Sequence, residues 1–239
     1  MFVNKLVRRI AAKRLGISIQ KTHVFINFNS RYAGLFLYYN RCFDMIRKLD
    51  GDVVECGVGM GRSIMMFAFL VKDSGGGRHL YGFDSFEGFP EPTIEDRDDS
   101  PEPRKINPQK GQYKTPLNHV WQFLLNNLTD TRGKRDEQFV NTHITLIKGY
   151  FNQTLLDYPG KQIALLHIDC DLYEGYLTVL ETFYHRVVKG GLILFDEYNL
   201  KEWPGATKAV DSFFNKIDDS DYKFIYDETI RRSYVVKMK

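Results

Sequence analysis

The chain has 239 residues, of which 43% are hydrophobic, 14% aromatic and 26% charged. This composition can fill the core of one large domain and excludes a disordered or low-complexity protein. The formal net charge is +3, but residues 1–43 hold eight basic residues and no acidic residue. The mildly acidic remainder argues against a nucleic-acid-binding face there, because neutralising phosphates requires clustered Lys and Arg.

Membrane and disulfide signals are both weak in this sequence. No apolar run is long enough to span a membrane, and basic residues interrupt the N-terminal apolar segment that a signal peptide would need. We therefore expect a cytoplasmic protein. Cys42, Cys56 and Cys170 are odd in number and lack paired zinc spacing, so we expect reduced, buried thiols.

The first 49 residues are expected to form a helical arm. Residues 2–15 combine apolar and basic residues at helical spacing, and residues 31–49 are rich in Tyr, Phe and Leu, which indicates a second helix. A basic amphipathic helix can contact an anionic membrane surface, but we favour a packed or dimer-forming arm. The arm is thus predicted to serve a dimer interface or a lid, in a homodimer or higher homo-oligomer.

From residue 50 onward, short β-type runs alternate with helical stretches. The runs lie at 53–54, 80–83, 144–147, 163–168 and 192–195, and helices are expected at 61–73, 115–129, 174–188 and 205–217. Two final runs, 223–226 and 233–236, are joined by a short polar connection that predicts an antiparallel hairpin. The pattern predicts an α/β fold with a doubly wound, mostly parallel, seven-stranded sheet over residues 50–239.

A Pro-rich acidic segment interrupts this alternation after the second strand. Five of the eight prolines lie within residues 90–108, together with six acidic residues. Long loops inside a domain are usually lids or disordered insertions. We predict a lid at residues 90–114, over the crevice at the carboxyl edge of the sheet.

A glycine-rich turn follows the first strand. It begins at Glu55 and contains Gly57, Gly59 and Gly61 before a helical run. Such glycines allow a ligand to approach the backbone closely, beside the free N–H groups of a helix N-terminus. The spacing is G-x-G-x-G rather than the dinucleotide G-x-G-x-x-G, so the turn alone fits an ordinary strand-to-helix connection equally well.

The second strand ends at Asp84, next to this turn in a parallel sheet. A carboxylate at such a strand end can accept hydrogen bonds from both hydroxyls of a ribose. The alternative is an Asp that caps the following turn, which is a common use of this residue. Because Asp84 coincides with the glycine turn, we favour the first interpretation and predict an adenosine-containing ligand.

Two later apolar strands end in carboxylates, Asp169 and Asp171 after one and Asp196 and Glu197 after the other. The carboxyl ends of adjacent parallel strands face one crevice, so these acids should converge. An all-oxygen ligand set favours Mg²⁺, with Mn²⁺ or Ca²⁺ as alternatives. The competing interpretation is a set of solvated acids at strand ends. His167 is expected to be a hydrogen-bonded core residue rather than a ligand.

Several of these motifs, taken in order, resemble the macrocin O-methyltransferase family. The resemblance covers about residues 50–215 and is carried by segments 54–58, 82–88, 148–155, 167–173, 195–198 and 203–211. Members of this family depend on S-adenosylmethionine and Mg²⁺ and methylate sugar hydroxyls on glycosylated natural products. The resemblance implies a class I methyltransferase, Rossmann-like fold and an O-methyltransferase activity of the same kind.

The resemblance also implies roles for single residues. The glycine turn with Glu55 would hold the methionine end of the cofactor, beside Asp169, and Asp84 would bind the ribose. The adenine would be flanked by four residues, Ser85, Gly149, Tyr150 and Phe151. The metal would be bound by Asp169, Asp196 and Glu197, with Asp171 as the general base. Some members have two consecutive Asp residues where this chain has Asp196 and Glu197, so Glu197 could ligate through a water molecule.

Three functions stay open at the level of the sequence. The first is methylation of a sugar, which is free, nucleotide-linked or part of a glycosylated product or polysaccharide. The second is methylation of a catechol or another small diol, and the third is a non-catalytic cofactor-binding subunit. A long lid favours a bulky acceptor with vicinal hydroxyls, and Asp171 argues against a pure binding module, which has no need of a fourth clustered carboxylate.

Overall fold

The computed structural model describes residues 29–97, 107–160 and 162–239. The chain divides into two units, residues 1–33 and 34–239, and the side-chain contacts discussed below lie in the second. The predicted helix at 2–15 and the lid residues 98–106 lie outside the described residues. In the described ranges, no helix is both long and apolar enough to cross a membrane.

A seven-stranded sheet forms the centre of the second unit. Its strands are β1 (Asp52–Cys56), β2 (Leu80–Asp84), β3 (Ile144–Lys148), β4 (Ile163–Ile168), β5 (Val187–Phe195), β6 (Tyr222–Asp227) and β7 (Arg232–Lys237). Their order is β3-β2-β1-β4-β5-β7-β6. The first five strands are parallel, and β7 runs antiparallel to both β5 and β6. The predicted mostly parallel sheet with a C-terminal antiparallel hairpin is confirmed.

Seven α-helices are described around this sheet. They are α1 (Ser30–Ile46), α2 (Arg62–Asp73), α3 (Leu117–Asn127), α4 (Glu137–His143), α5 (Phe151–Thr154), α6 (Tyr173–Phe183) and α7 (Pro204–Phe214). Five of them, α1, α2, α3, α6 and α7, were expected from the sequence. The short helices α4 and α5 were not.

The predicted boundary between α6 and β5 is wrong by the largest margin. The helix expected to reach residue 188 ends at Phe183, and after a 3₁₀ turn the chain is already in β5 at Val187. The two β-branched residues Val187 and Val188 favour a strand. Gly191 lies inside that strand, where a Cβ atom would come within 2.9 Å of the Val187 side chain and the Val188 carbonyl oxygen. The Gly-Gly pair therefore permits a tight strand rather than ending a helix.

Each face of the sheet is covered by helices. All six residues of β4 are buried, as expected for a parallel strand with both faces covered. Its residues divide between two cores, with Leu166 in the one that contains α6 and α7 and Leu165 in the one that contains α1 to α4. The inner face of α1 packs into this second core through Tyr39 and Ile46. A dimer or lid role for residues 1–49 stays a prediction.

Candidate active site

The loops that follow β1, β2, β4 and β5 lie side by side at the carboxyl edge of the sheet. Backbone hydrogen bonds continue past the strand ends: the N–H of Gly57 donates to Phe83 (2.8 Å), that of Asp169 to Cys56 (2.9 Å) and that of Asp196 to Ile168 (3.0 Å). The chain reverses its direction of winding between β1 and β4. Crevices at such switch points are where open α/β sheets bind ligands.

Glycines in the turn after β1 meet two different requirements. Gly57 has a φ of +93°, and a Cβ atom there would lie 1.7 Å from the Asp169 carbonyl oxygen. Gly59 has a φ of +51°, but a Cβ atom there would meet nothing within 4 Å. Gly57 therefore lets the β1 and β4 loops touch, whereas Gly59 leaves its side of the turn open. Gly61, at φ +85°, is the N-cap residue of α2.

Asp84 binds the backbone of the glycine turn. Its Oδ2 accepts hydrogen bonds from the N–H groups of Val58 and Gly59, both at 2.9 Å, and its Oδ1 accepts one from Phe86 at 2.6 Å. Burial raises the pKa of Asp84, and these backbone donors partly offset that effect. Asp84 thus makes the turn contact that the alternative interpretation expected. The ribose contact stays a prediction, for which Oδ1, with one hydrogen bond from the Phe86 N–H, retains a second lone pair.

The residues expected to flank an adenine lie beside Asp84. The Gly149 N–H donates to the Asp84 carbonyl oxygen at 2.9 Å, and the Ser85 hydroxyl donates to Gly88 at 2.7 Å. Gly149 has a φ of +151°. The chain then enters α5 through Tyr150 and Phe151. These residues share one edge of the crevice, and their contact with an adenine stays a prediction.

Three carboxylates meet at the ends of β4 and β5. One side-chain oxygen from each of Asp169, Asp171 and Glu197 lies within 4.8 Å of the others. Glu197 is 2% exposed, and its Oε2 accepts from the Tyr176 hydroxyl at 2.6 Å and from the Asp171 N–H at 3.3 Å. Asp171 has a φ of +62°, a left-handed conformation that is uncommon outside glycine. The fold thus holds these acids together at a conformational cost.

The electrostatics of this group fit a bound cation. Burial, followed by repulsion from Asp196, raises the pKa of Asp169 to about 7. Burial and then the neighbouring Asp169 likewise raise the pKa values of Asp171 and Glu197. Clustered carboxylates repel one another, and a divalent cation offsets this repulsion. Because every donor is an oxygen, the set suits Mg²⁺, Mn²⁺ or Ca²⁺.

The Asp196 side chain does not converge with the side chains of the other predicted metal ligands. Its Oδ2 accepts a hydrogen bond from Arg232 on β7 at 3.1 Å, and Asp196 does not belong to the group whose oxygens converge. The structure therefore brings Asp169, Asp171 and Glu197 together and pairs Asp196 with an arginine. Nothing in the sequence pattern indicated this pairing. A metal contact of Asp196 stays a prediction.

A second buried group lies on the other side of Asp169. Glu55 and His167 are register partners on β1 and β4, and His167 Nδ1 lies 3.0 Å from Glu55 Oε1. His167 Nε2 lies 3.1 Å from the Tyr39 hydroxyl on α1. His167 is thus a hydrogen-bonded core residue, as expected. Sequence reasoning missed Tyr39, for which no local motif gave a signal.

Burial and neighbouring charges shift the pKa values of this second group. Burial lowers the pKa of His167, but Glu55 and Asp169 raise it, and the net shift is upward. The pKa of Glu55 is raised, mainly by burial. Glu55 is fully buried, and within the part of the chain that the structure describes its Oε2 has no hydrogen-bond partner. The nearby Ser63 side chain acts to lower the pKa of Glu55, and the buried Oε2 is a candidate acceptor for a ligand donor.

Comparisons with known proteins agree on the type of protein. A family model described as macrocin-O-methyltransferase (TylF) matches residues 40–221. The 8-demethyl-8-(2,3-dimethoxy-alpha-L-rhamnosyl)-tetracenomycin-C 4'-O-methyltransferase of Streptomyces olivaceus is 32% identical over 151 residues, which are 63% of this chain and 54% of that protein. The demethyldecarbamoylnovobiocin O-methyltransferase of Streptomyces niveus is 29% identical over 175 residues, which are 72% of this chain and 62% of that protein.

A solved structure shares the fold. The crystal structure of CalS11, a calicheamicin methyltransferase, has a TM-score of 0.71 at 22% identity and covers 98% of this chain and 91% of its own. This likeness shows the class I methyltransferase fold that the sequence resemblance implied. The chain spans just over half to about three fifths of the length of the two Streptomyces relatives.

Proposed function

Because the chain belongs to the macrocin O-methyltransferase family, we propose that it transfers a methyl group from S-adenosylmethionine to a sugar hydroxyl. The sugar is free, nucleotide-linked or part of a glycosylated product or polysaccharide. We also propose that the transfer depends on Mg²⁺, for which Mn²⁺ or Ca²⁺ can substitute. The observation that carries the proposal is the convergence of Asp169, Asp171 and Glu197 beside the glycine turn.

The names of the relatives support a sugar acceptor. The Streptomyces olivaceus relative is named for 4'-O-methylation of a rhamnosyl-tetracenomycin, and CalS11 is named as a calicheamicin methyltransferase. The Streptomyces niveus relative is named for O-methylation of a novobiocin precursor. A methyl-transfer assay that includes catechols separates this proposal from methylation of a small diol.

The cofactor site is proposed along the edge from β1 to β3. S-adenosylmethionine supplies an electrophilic methyl group on a sulfonium. The open side of Gly59 lets the cofactor approach the turn, and the free Glu55 Oε2 can accept from its ammonium group. Asp84 would bind the ribose, with Ser85 and the turn 149–151 beside the adenine.

The metal site is proposed between the β4 and β5 ends. A bound divalent ion supplies positive charge that lowers the pKa of an acceptor hydroxyl. Asp169 and Glu197 would hold it, with Asp196 as a third ligand. Glu197 Oε2 is engaged by Tyr176 and the Asp171 N–H, which leaves Oε1 to ligate directly or through water.

Asp171 is proposed as the general base. A neutral sugar hydroxyl is a poor nucleophile, so a carboxylate must accept its proton as the methyl group is transferred. Asp171 lies in the convergent group, and the hydrogen bond from its own N–H to Glu197 fixes its backbone. This contact and the closeness of Asp171 to Asp169 and Glu197 support the role, because a base must lie near the ligands of the proposed metal.

Transfer of labelled methyl groups to a panel of sugars, nucleotide sugars, glycosylated natural products and catechols tests the function. We expect labelling of a sugar-containing acceptor, loss of labelling with EDTA and recovery with Mg²⁺. Labelling of catechols alone would favour the small-diol function. Undiminished transfer in EDTA would contradict metal dependence, and an absence of transfer to any acceptor would favour a binding subunit.

Two variants separate the proposed roles. Asp171→Asn should lower turnover about 100-fold or more while cofactor and metal binding persist. Asp169→Asn should lose metal binding together with activity. Glu181→Gln, at an exposed position on α6, is the control and should match the wild type. Normal turnover by Asp171→Asn would remove Asp171 from the mechanism.

The cytoplasmic location and the homo-oligomeric state are proposals from the sequence alone. Light scattering after size exclusion tests the second. We expect a mass of at least twice that of one chain, and the mass of a single chain would contradict this expectation.

A further inference from the structure

A buried chain of three hydrogen-bonded side chains connects α1 to the proposed cofactor site. Tyr39 contacts His167 Nε2 at 3.1 Å, and His167 Nδ1 contacts Glu55 Oε1 at 3.0 Å. The three residues are at most 1% exposed. The last atom of this chain, Glu55 Oε2, has no partner among the described residues, and the Glu55 carboxylate lies within 4.8 Å of that of Asp169.

The unpartnered oxygen points to a ligand with a cationic N–H donor. A buried carboxylate oxygen without a donor is unfavourable unless a bound group supplies one. Glu55 is the penultimate residue of β1, two residues before Gly57 of the glycine turn. A ligand that contacts its buried carboxylate would have to enter beside this turn. A primary ammonium satisfies both the charge and the missing hydrogen bond. The amino-acid end of S-adenosylmethionine carries such a group.

Tyr39 and His167 limit how the Glu55 carboxylate can turn. When His167 carries its proton on Nδ1, that N–H donates to Glu55 Oε1, and Nε2 is left to accept from the Tyr39 hydroxyl. The Phe67 ring packs against both partners, with its centroid 4.5 Å from that of Tyr39 and 5.2 Å from that of His167. The imidazole is therefore fixed from two sides, and Oε1 is fixed with it.

We propose that Tyr39 and His167 are positioning residues that orient Glu55 so that its Oε2 accepts a hydrogen bond from the ammonium group of the cofactor. This inference rests on the proposed function and extends it to α1, a helix outside the motifs that carry the family resemblance. It predicts that cofactor affinity depends on a tyrosine hydroxyl that does not contact the cofactor.

Calorimetry with two ligands tests this role. S-adenosylhomocysteine carries the ammonium group, whereas methylthioadenosine lacks the whole amino-acid portion. Tyr39→Phe removes one hydroxyl and should weaken S-adenosylhomocysteine binding about fivefold while methylthioadenosine binding stays unchanged. Tyr38→Phe is the matched control, because Tyr38 is the neighbouring buried tyrosine on α1 and its hydroxyl lies near Cys42 rather than His167. It should change neither affinity.

A double-variant cycle shows whether Tyr39 acts through Glu55. Glu55→Gln should weaken S-adenosylhomocysteine binding about tenfold or more, because a charge-assisted hydrogen bond is lost. Adding Tyr39→Phe to Glu55→Gln should cause no further loss, since residues in one network are not additive. His167→Asn, which keeps a donor near the Nδ1 position, should bind the ligand more tightly than His167→Gln, which does not.

The outcomes separate this inference from the proposed function. Equal weakening of both ligands by Tyr39→Phe, no weakening, or full additivity with Glu55→Gln would overturn the positioning role. If wild-type protein binds S-adenosylhomocysteine no more tightly than methylthioadenosine, the ammonium contact is overturned while the proposed function stands. If it binds neither ligand, both fail. Thermal unfolding shows whether each variant is folded. If Tyr39→Phe does not fold, the comparison of His167→Asn with His167→Gln tests the positioning role instead.

Discussion

Gly57 and Gly59 stand two residues apart in one turn, and the structure gives them different reasons to be glycine. A Cβ atom at position 57 would collide with the backbone of the β4 loop, whereas one at position 59 would enter open space. Position 57 therefore controls how two loops of the protein fit together. Position 59 controls how closely a ligand approaches the backbone.

Alanine at each position should separate these two effects. Gly57→Ala should lower the free energy of unfolding by about 3 kcal/mol, from left-handed strain together with a backbone clash. Gly59→Ala should cost about 1 kcal/mol from strain alone but weaken S-adenosylhomocysteine binding severalfold. Denaturant unfolding and calorimetry measure the two quantities. Equal stability losses in the two variants would contradict the assignment.

The candidate site was predictable only where a local pattern marks it. Asp169 and Asp196 each follow an apolar strand directly, so the sheet edge could be inferred from the chain itself. The partner of Asp196, Arg232, lies 36 residues away, and Tyr39 lies 128 residues from His167. Contacts at such distances depend on how β7 and α1 pack on the sheet. The pattern of residues in a single sequence does not reveal that packing.

Helix α4 depends on its first turn. Only Phe139 and Val140 of its seven residues are buried, so its apolar pattern is too short to predict a helix. The Asp136 side chain accepts from the Phe139 N–H at 3.1 Å and also pairs with Lys72 on α2. This cap and ion pair stabilise a helix that its own residues specify weakly.

Asp136→Ala should lower the free energy of unfolding by about 1 kcal/mol at neutral pH. The hydrogen bond from Lys72, and then that from Phe139, lowers the pKa of Asp136 in the folded protein. A lowered folded pKa means that the stabilisation is present above the unfolded pKa, about 3.9, and is lost as the pH falls through the folded value. Wild type and variant should therefore converge in acid.

Urea unfolding between neutral and acidic pH measures this difference. Gln138→Ala is the control, because Gln138 is exposed on the same helix and should leave stability nearly unchanged. A stability difference between Asp136→Ala and wild type that stays constant down to strongly acidic pH would contradict the role of the ionised carboxylate.

The first part of the predicted lid is attached to two helices. Asp96 is 3% exposed, and its Oδ1 accepts from the Tyr173 N–H at the start of α6 at 2.7 Å. Gly205 on α7 gives this carboxylate room, because a Cβ atom there would lie 1.9 Å from Oδ1. An acid at a helix N-terminus is favourable for both the free N–H groups and the helix dipole.

Asp96→Ala should release this attachment and raise the rate of trypsin cleavage after the neighbouring Arg97 severalfold, because local unfolding exposes the chain to protease. Mass spectrometry of the fragments follows the cleavage. Glu91→Ala, at an exposed position in the same segment, should cleave at the wild-type rate. Unchanged cleavage after Arg97 in Asp96→Ala would show that Asp96 does not anchor the segment.

At the scale of the whole molecule, the sequence predicted the architecture well. Strands rich in Val, Ile and Leu alternate with amphipathic helices, and this alternation nearly forces parallel strands with right-handed crossovers. The hairpin β6–β7 was also visible, from two runs with a short polar connection. The start of β5 could not be predicted, because the Gly-Gly pair inside this strand resembles the residue pattern that ends a helix.

The same architecture creates the electrostatic problem on which the proposed function depends. Parallel strands have their carboxyl ends at one edge of the sheet, and two of them, β4 and β5, are followed here by three acids whose oxygens lie close together. Within the described residues, Arg232 pairs with Asp196, whereas Asp169, Asp171 and Glu197 have raised pKa values. A hard divalent cation would relieve this repulsion and orient an acceptor hydroxyl.

Anomalous diffraction from crystals grown with Mn²⁺ and S-adenosylhomocysteine tests this claim most directly. Mn²⁺ prefers the same oxygen ligands as Mg²⁺ and can be located by its own scattering. We predict one strong anomalous peak in contact with the carboxylates of Asp169 and Glu197, beside the glycine turn. A map with no peak at these carboxylates, from crystals in which S-adenosylhomocysteine is bound, would contradict the account.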